Sequence, residues 1–150
     1  METKITKPIT VLFYSEITNL SGLAKLVRVK ANELHKEAIK NKMEITGPVY
    51  WIYYGMDGNP QTNFTLEIAI PVFCESHYDG NFQLKELPEF KCASMIHYGS
   101  WYDLPGSYGQ LIGEVFKNNL ALSGVSREVY LNIDFLYLER NITEIQVGIN

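Results

Sequence analysis

Two apolar stripes at helical spacing, each followed by two strand-like runs, organise this chain. Residues 9–14 are apolar and β-prone, and predict a first strand. Leu23, Val27, Ala31, Leu34 and Ala38 then recur every three or four positions, with Lys25, Arg28, Lys36 and Glu37 pointing elsewhere. That spacing predicts an amphipathic helix capped by Asn19 or Ser21 and stopped near Gly47-Pro48. Residues 49–54 and 64–72 predict two strands around a turn rich in Gly, Asp, Asn and Pro. Residues 78–88 are polar with a Gly-Asn turn and read as a link. The pattern then restarts: a strand over 90–98, a turn over 99–103, and a helix with its stripe on Leu104, Tyr108, Leu111, Ile112, Val115 and Phe116. Pro105 suits the first turn of that helix, which ends by Gly124. Residues 127–132 and 142–149 predict the last two strands.

The restart is a duplication with an offset of 77 residues. It lays Gly47 over Gly124, and Glu67-Ile68-Ala69-Ile70 over Glu144-Ile145-Gln146-Val147. A repeat of this size, present only twice, is too short for a solenoid. The expected fold is α+β: a duplicated strand–helix–strand–strand module with pseudo-two-fold symmetry, two antiparallel sheets forming a groove, and one long helix per half. The expected organisation is a single domain over 1–150, with halves of about 5–75 and 88–150. A seam between the halves is a natural place for a ligand.

Composition narrows the function classes. A net charge of −4 and the lack of a basic stripe argue against direct nucleic-acid binding. No apolar run approaches a membrane span and the first residues lack a signal-peptide core, so a cytoplasmic protein is expected. Cys74, Cys92 and three scattered histidines have no metal-ligand spacing, so neither metal nor cofactor is expected. Ten tyrosines, seven phenylalanines and two tryptophans are an unusual aromatic load. Tyrosine pairs an apolar ring with a polar tip, which suits ligand clefts as well as sheet edges.

His97-Tyr98-Gly99-Ser100-Trp101-Tyr102-Asp103-Leu104, the helix with Tyr108 and Leu111, Arg127-Glu128-Val129-Tyr130-Leu131, and Thr143-Glu144-Ile145 together resemble the GyrI-like family. These are small-molecule effector-binding domains of bacterial transcription regulators and gyrase-inhibitory proteins. The resemblance covers nearly the whole chain and implies the duplicated module with a ligand groove. Multidrug-responsive members carry a buried carboxylate among aromatics for cationic ligands, and Glu128 and Tyr130 match its Glu-x-Tyr strand. The chain departs from the regulators in having no helix-turn-helix segment, so a stand-alone member without DNA binding is expected, with a protein partner possible.

Strand alternation groups the site candidates. Val129 and Leu131 are assigned to the helix-covered face, leaving Ser126, Glu128 and Tyr130 on the opposite one. The offset equates Trp51 with Glu128 and Tyr53 with Tyr130, so these four are expected to look across the seam. Ile68, Ile70, Ile145 and Val147 fit the core, which puts Glu67 and Glu144 on the open face, as site residues or as solvated edge residues. His97 and Trp101 precede the second helix; each reads either as groove lining or as a structural residue. Tyr108 reads as core, His35 and His77 as surface, and the two cysteines as small fillers.

Three functions compete. The first is capture of small hydrophobic or cationic aromatic ligands by Glu128, Tyr130, Trp51, Tyr53, Trp101, His97 and Glu67. The second, implied by the resemblance, is hydrolysis of reactive cyclopropane-type compounds, with Glu128 as the catalytic carboxyl. The third is a gyrase-inhibitor-like interaction with a protein. No Ser-His-Asp or Cys-His arrangement is recognisable.

Overall fold

The computed structural model describes residues 1–150. In chain order the elements are β1 (Glu2–Thr6), β2 (Ile9–Thr18), a 3₁₀ turn (Leu20–Lys25), α1 (Val29–Lys40), β3 (Glu44–Ile45), β4 (Tyr50–Tyr54) and β5 (Phe64–Phe73). They continue with β6 (Gln83–Leu87), β7 (Phe90–Tyr98), α2 (Leu104–Lys117), β8 (Leu122–Asn132) and β9 (Ile142–Ile149). The strand–helix–strand–strand succession therefore occurs twice, as β2-α1-β4-β5 and β7-α2-β8-β9.

The two halves join edge to edge into one antiparallel sheet of order β1-β7-β9-β8-β4-β5-β2-β6, with β3 paired to β5. That order reads the same from either end in terms of the repeat. At its centre β4 pairs with β8, and Trp51 faces Glu128 in the register. Of the pairs that the 77-residue offset equates, Trp51 and Glu128 are thus direct neighbours, whereas Tyr53 faces Ser126 rather than Tyr130.

Two edge strands were not expected from the sequence. β1 pairs with β7, so the N-terminal segment completes the second half rather than the first. β6 falls within the stretch that reads as a link, and pairs with β2. Both are short and carry lysines, the pattern of protected sheet edges. The first helix is also broken: Asn19 accepts from the Gly22 amide to open the 3₁₀ turn, and Arg28, at φ 70°, separates that turn from α1.

Only Pro88 and Glu89 separate β6 from β7, yet these strands stand six places apart in the sheet. Six strand spacings laid flat would span about 29 Å, whereas the short link reaches about 11 Å. The sheet must therefore curl. Leu87 of β6 packs in one cluster with Ile52 of β4, Val11, Phe13 and Ala69, which marks the face away from the helices as the inside of the curl.

The helices cover the other face. Leu34 and Ala38 of α1 pack on Leu12, Ile68 and Ile70, and Leu111 and Val115 of α2 pack on Ala93, Ile145 and Val147. Both faces of the central strands are consequently buried, and β5 shows it as an almost unbroken apolar run.

Candidate functional site

The space between α1 and α2, floored by β4 and β8, is a groove of about 960 Å³. Nineteen of its 28 lining residues are hydrophobic, so any polar group within it stands out. Trp51 and Tyr53 reach it from β4, Ser126, Glu128 and Tyr130 from β8, and Trp101 from the turn before α2. The parity argument grouped these residues correctly. It assigned them to the wrong face, however. Glu128 lies on the helix-covered side, between the two helices, and Val129 turns into the curl. The expectation failed because Val129 has its own buried environment on the inner face, so hydrophobicity could not identify the helical one.

Glu128 is the only acidic side chain on the groove floor, and only 5% exposed. Three phenols converge on its carboxyl. Tyr53 donates to Oε2 at 3.0 Å, Tyr108 donates to Oε1 at 2.9 Å, and Tyr130 donates to Oε2. They come from β4, α2 and β8, so the site needs both halves of the chain. Burial raises the Glu128 pKa above the ordinary carboxylate value, against the lowering effects of the Tyr130, Tyr108 and Tyr53 hydrogen bonds and of nearby His97. Burial and the adjacent carboxyl in turn push all three phenols well above their usual value, so they remain neutral donors. No Lys, Arg or His forms an ion pair with Glu128.

Aromatic rings extend from this carboxyl to the rim. Trp51 meets Tyr130 edge-on at 6.2 Å, Tyr130 meets Trp101 at 6.0 Å, and Trp101 meets Phe135 at 5.4 Å. Each such pair contributes about 0.5–1.5 kcal/mol beyond its buried area, which holds the rings at fixed angles. The Arg28 guanidinium caps the series, 3.7 Å from the Phe135 ring centroid. The Trp101 indole N–H is buried with no acceptor in the chain.

Two expected lining residues stand elsewhere. Glu67 is on the inner face of the curl, where it accepts from Tyr54 at 3.0 Å and from Lys85 at 2.6 Å. His97 is buried behind the groove: its Nε2 lies 2.8 Å from the Ser100 carbonyl and its Nδ1 2.8 Å from the Ser107 hydroxyl. His97 therefore anchors the turn that carries Trp101. Glu144 pairs with Lys4 on the inner face as well.

Tyr108 was missed as a site residue. It belongs to the apolar stripe of α2, but the stripe divides: Leu104, Leu111 and Val115 are buried in the core, while Tyr108, Ile112 and Phe116 line the groove. Only its hydroxyl distinguished Tyr108 within that stripe. Ser100 begins the segment by accepting from the Tyr102 amide at 3.2 Å, and Pro105 occupies the first helical turn. Among metal-ligating residues no cluster of three or more exists. No helix is long and apolar enough to cross a membrane.

The GyrI-like small molecule binding domain family matches residues 4–149. The chain belongs to that family. Among solved structures, the EcmrR C-terminal domain is similar at 22% identity and a TM-score of 0.79, over 99% of this chain and 96% of that one. In the EcmrR–DNA complex the same region accounts for 56% of the regulator chain. SAV2435 bound to tetraphenylphosphonium is similar at 12% identity and a TM-score of 0.63, over 100% of this chain and 94% of that one. A hydrolase from Listeria innocua is similar at 12% identity and a TM-score of 0.70, over 99% and 91%. No curated protein matches the sequence. This GyrI-like chain is thus a small-molecule binding domain of that family and shares its fold with the EcmrR C-terminal domain and SAV2435.

Proposed function

We propose that this GyrI-like domain captures hydrophobic cations in its groove, with Glu128 as the charge partner and Trp51, Tyr53, Trp101, Tyr108 and Tyr130 as the aromatic enclosure. One observation carries the reading: a buried carboxyl on an apolar floor has three neutral donors and no cation of its own. Buried charges are ordinarily paired, and a lipophilic cation supplies the missing pair while its apolar groups cover the rings. Rings that face a cation add about 0.5–2 kcal/mol each. SAV2435 was solved with a ligand of this kind, tetraphenylphosphonium, which makes that compound the first probe.

The free thiols Cys74 and Cys92 support a reducing, cytoplasmic setting. The chain's negative net charge supports a role without direct nucleic-acid contact, in which the domain sequesters a compound or reports it to a protein partner.

Titration calorimetry with tetraphenylphosphonium on the wild type and on Glu128→Gln tests the reading. Saturable binding that weakens in the variant is expected; equal binding by both would end it. A second reading draws on the raised pKa of Glu128 beside three phenols. A carboxyl of that kind can serve as general acid or base toward a strained-ring electrophile. Mass spectrometry of recovered ligand separates the two: an intact ligand supports capture, and a hydrated product formed only by the wild type supports hydrolysis.

A further inference from the structure

Directly behind Glu128, on the inner face of the curl, Arg127 is a second buried charge, and the groove makes no use of it. It is 3% exposed, and its Nε and Nη1 are buried without a partner. The register places it in a polar row across three strands. Gln146 on β9 is its direct neighbour, and Ser94 on β7 is next to Gln146. All three are at most 4% exposed, and the Gln146 Oε1 also lacks a partner.

Two carboxylates of this face are already committed, and a third, Glu2 beside Ser94 on β1, is exposed. Glu67 is held by Lys85 and Tyr54, and Glu144 by Lys4. None of the ion pairs includes Arg127. What covers the guanidinium is aromatic: the Phe90 ring centroid lies 4.0 Å from Cζ. Gly148 permits that cover, because a Cβ there would stand 2.9 Å from the Phe90 ring and 2.8 Å from the Val125 carbonyl oxygen. A ring face attracts the cation but cannot accept two N–H bonds in their plane.

A guanidinium does not shed its charge at any ordinary pH, and burying an ion without a counter-charge is among the largest costs in a protein interior. Every other buried or half-buried charge on this face has an opposite partner. We propose that Arg127, with Gln146 and Ser94, forms a binding site for a small anion, a carboxylate or an inorganic oxyanion, back to back with the cation groove. Gln146 can turn either end of its amide toward such a ligand, accepting from a protonated oxygen or donating to a bare one. Burial lowers the Arg127 pKa, against the smaller raising effects of Tyr54, Tyr50, Cys92 and Glu67.

Melting of the full chain against formate, acetate, phosphate and chloride, at constant ionic strength, tests this. Wild type and Arg127→Met are compared. At about 100 times Kd the melting point of the wild type should rise by about 5–10 °C with at least one of these anions. Arg127→Met should show no such rise, while its melting point without added anion should equal or exceed that of the wild type, since it removes an unpaired charge. Arg127→Lys keeps the charge and should retain a weaker response. Tetraphenylphosphonium binding, measured alongside, should be unchanged in Arg127→Met, so failure of either site shows without the other. A wild type indifferent to all four anions, or an Arg127→Met that responds equally, would overturn the proposal and leave water as the partner of those donors.

Discussion

The two halves of this chain share one succession of elements but use the central strand pair differently. In the first half, Trp51 fills its place with an apolar ring, and thirteen buried residues gather in that half's core cluster. In the second half the equivalent and directly facing position is Glu128, and the core cluster holds seven. Tyr108 and Ile112 of α2 pack only at the edge of that second core, and with Phe116 they also line the groove. The two halves thus differ in the size of their cores, while both contribute to the groove: Trp51 and Tyr53 from the first, Tyr108, Glu128 and Tyr130 from the second.

Making the halves alike should be the most damaging change. Trp51→Glu removes a buried ring and sets a second carboxylate beside the first, for a loss of about 4 kcal/mol. For a chain of this size that is a fall in melting point of about 8–16 °C. Mutual repulsion raises both carboxyl pKa values above their unfolded values, so the electrostatic part of the loss grows as pH rises and shrinks on acidification. Melts at pH 5 and pH 8 measure this, and an equal loss at both would exclude the repulsion.

Glu128→Gln keeps the shape and an acceptor for the phenols while removing the charge that distinguishes the halves. Affinity for tetraphenylphosphonium should fall about 10- to 30-fold, about 1.4–2 kcal/mol. Fold stability at neutral pH should not fall with it, because a carboxyl whose folded pKa is raised destabilises the fold once pH exceeds its unfolded value. The same raised pKa sets the pH profile of the wild type. Phosphonium binding should weaken on acidification, and from a higher pH than an exposed carboxylate would give, with no titrating group on the ligand to confuse the assignment.

Tyr108→Phe sharpens the contrast more gently. It deletes one donor to Glu128, worth about 1 kcal/mol, and raises the carboxyl pKa further, so the loss of binding should move to higher pH. The smallest effect on binding belongs to Glu67→Gln. Its carboxylate faces Lys85 inside the curl, away from the groove, so the change bears on stability through that buried pair while phosphonium affinity should stay within twofold. A larger change in affinity would return Glu67 to the ligand site.

The repeat, both helices and all six inner strands were legible in the sequence, because their apolar spacing is set by burial on at least one face. β1 and β6 were not, since short, lysine-bearing edge strands have composition close to that of loops, and their pairing partners lie far along the chain. At the site, strand alternation brought together Trp51, Tyr53, Ser126, Glu128 and Tyr130. It could not say which face the helices cover, because a curled sheet buries both. Nor could it separate Tyr108 from the core residues of its own stripe, or find Lys85 for Glu67. The first depends on how α2 rolls against the sheet, the second on a pairing between β2 and β6 that local sequence does not encode.

The placement of β1 has a consequence for how the protein is made. Its residues leave the ribosome before those of every other strand described, yet their partner β7 ends at Tyr98. At about 5–20 residues per second, the N-terminal strand waits roughly 5–20 s for a neighbour, while the first half can already close around its larger core. Translation thus delivers β1 long before β7, and this edge of the sheet can close only once the second half has begun to emerge.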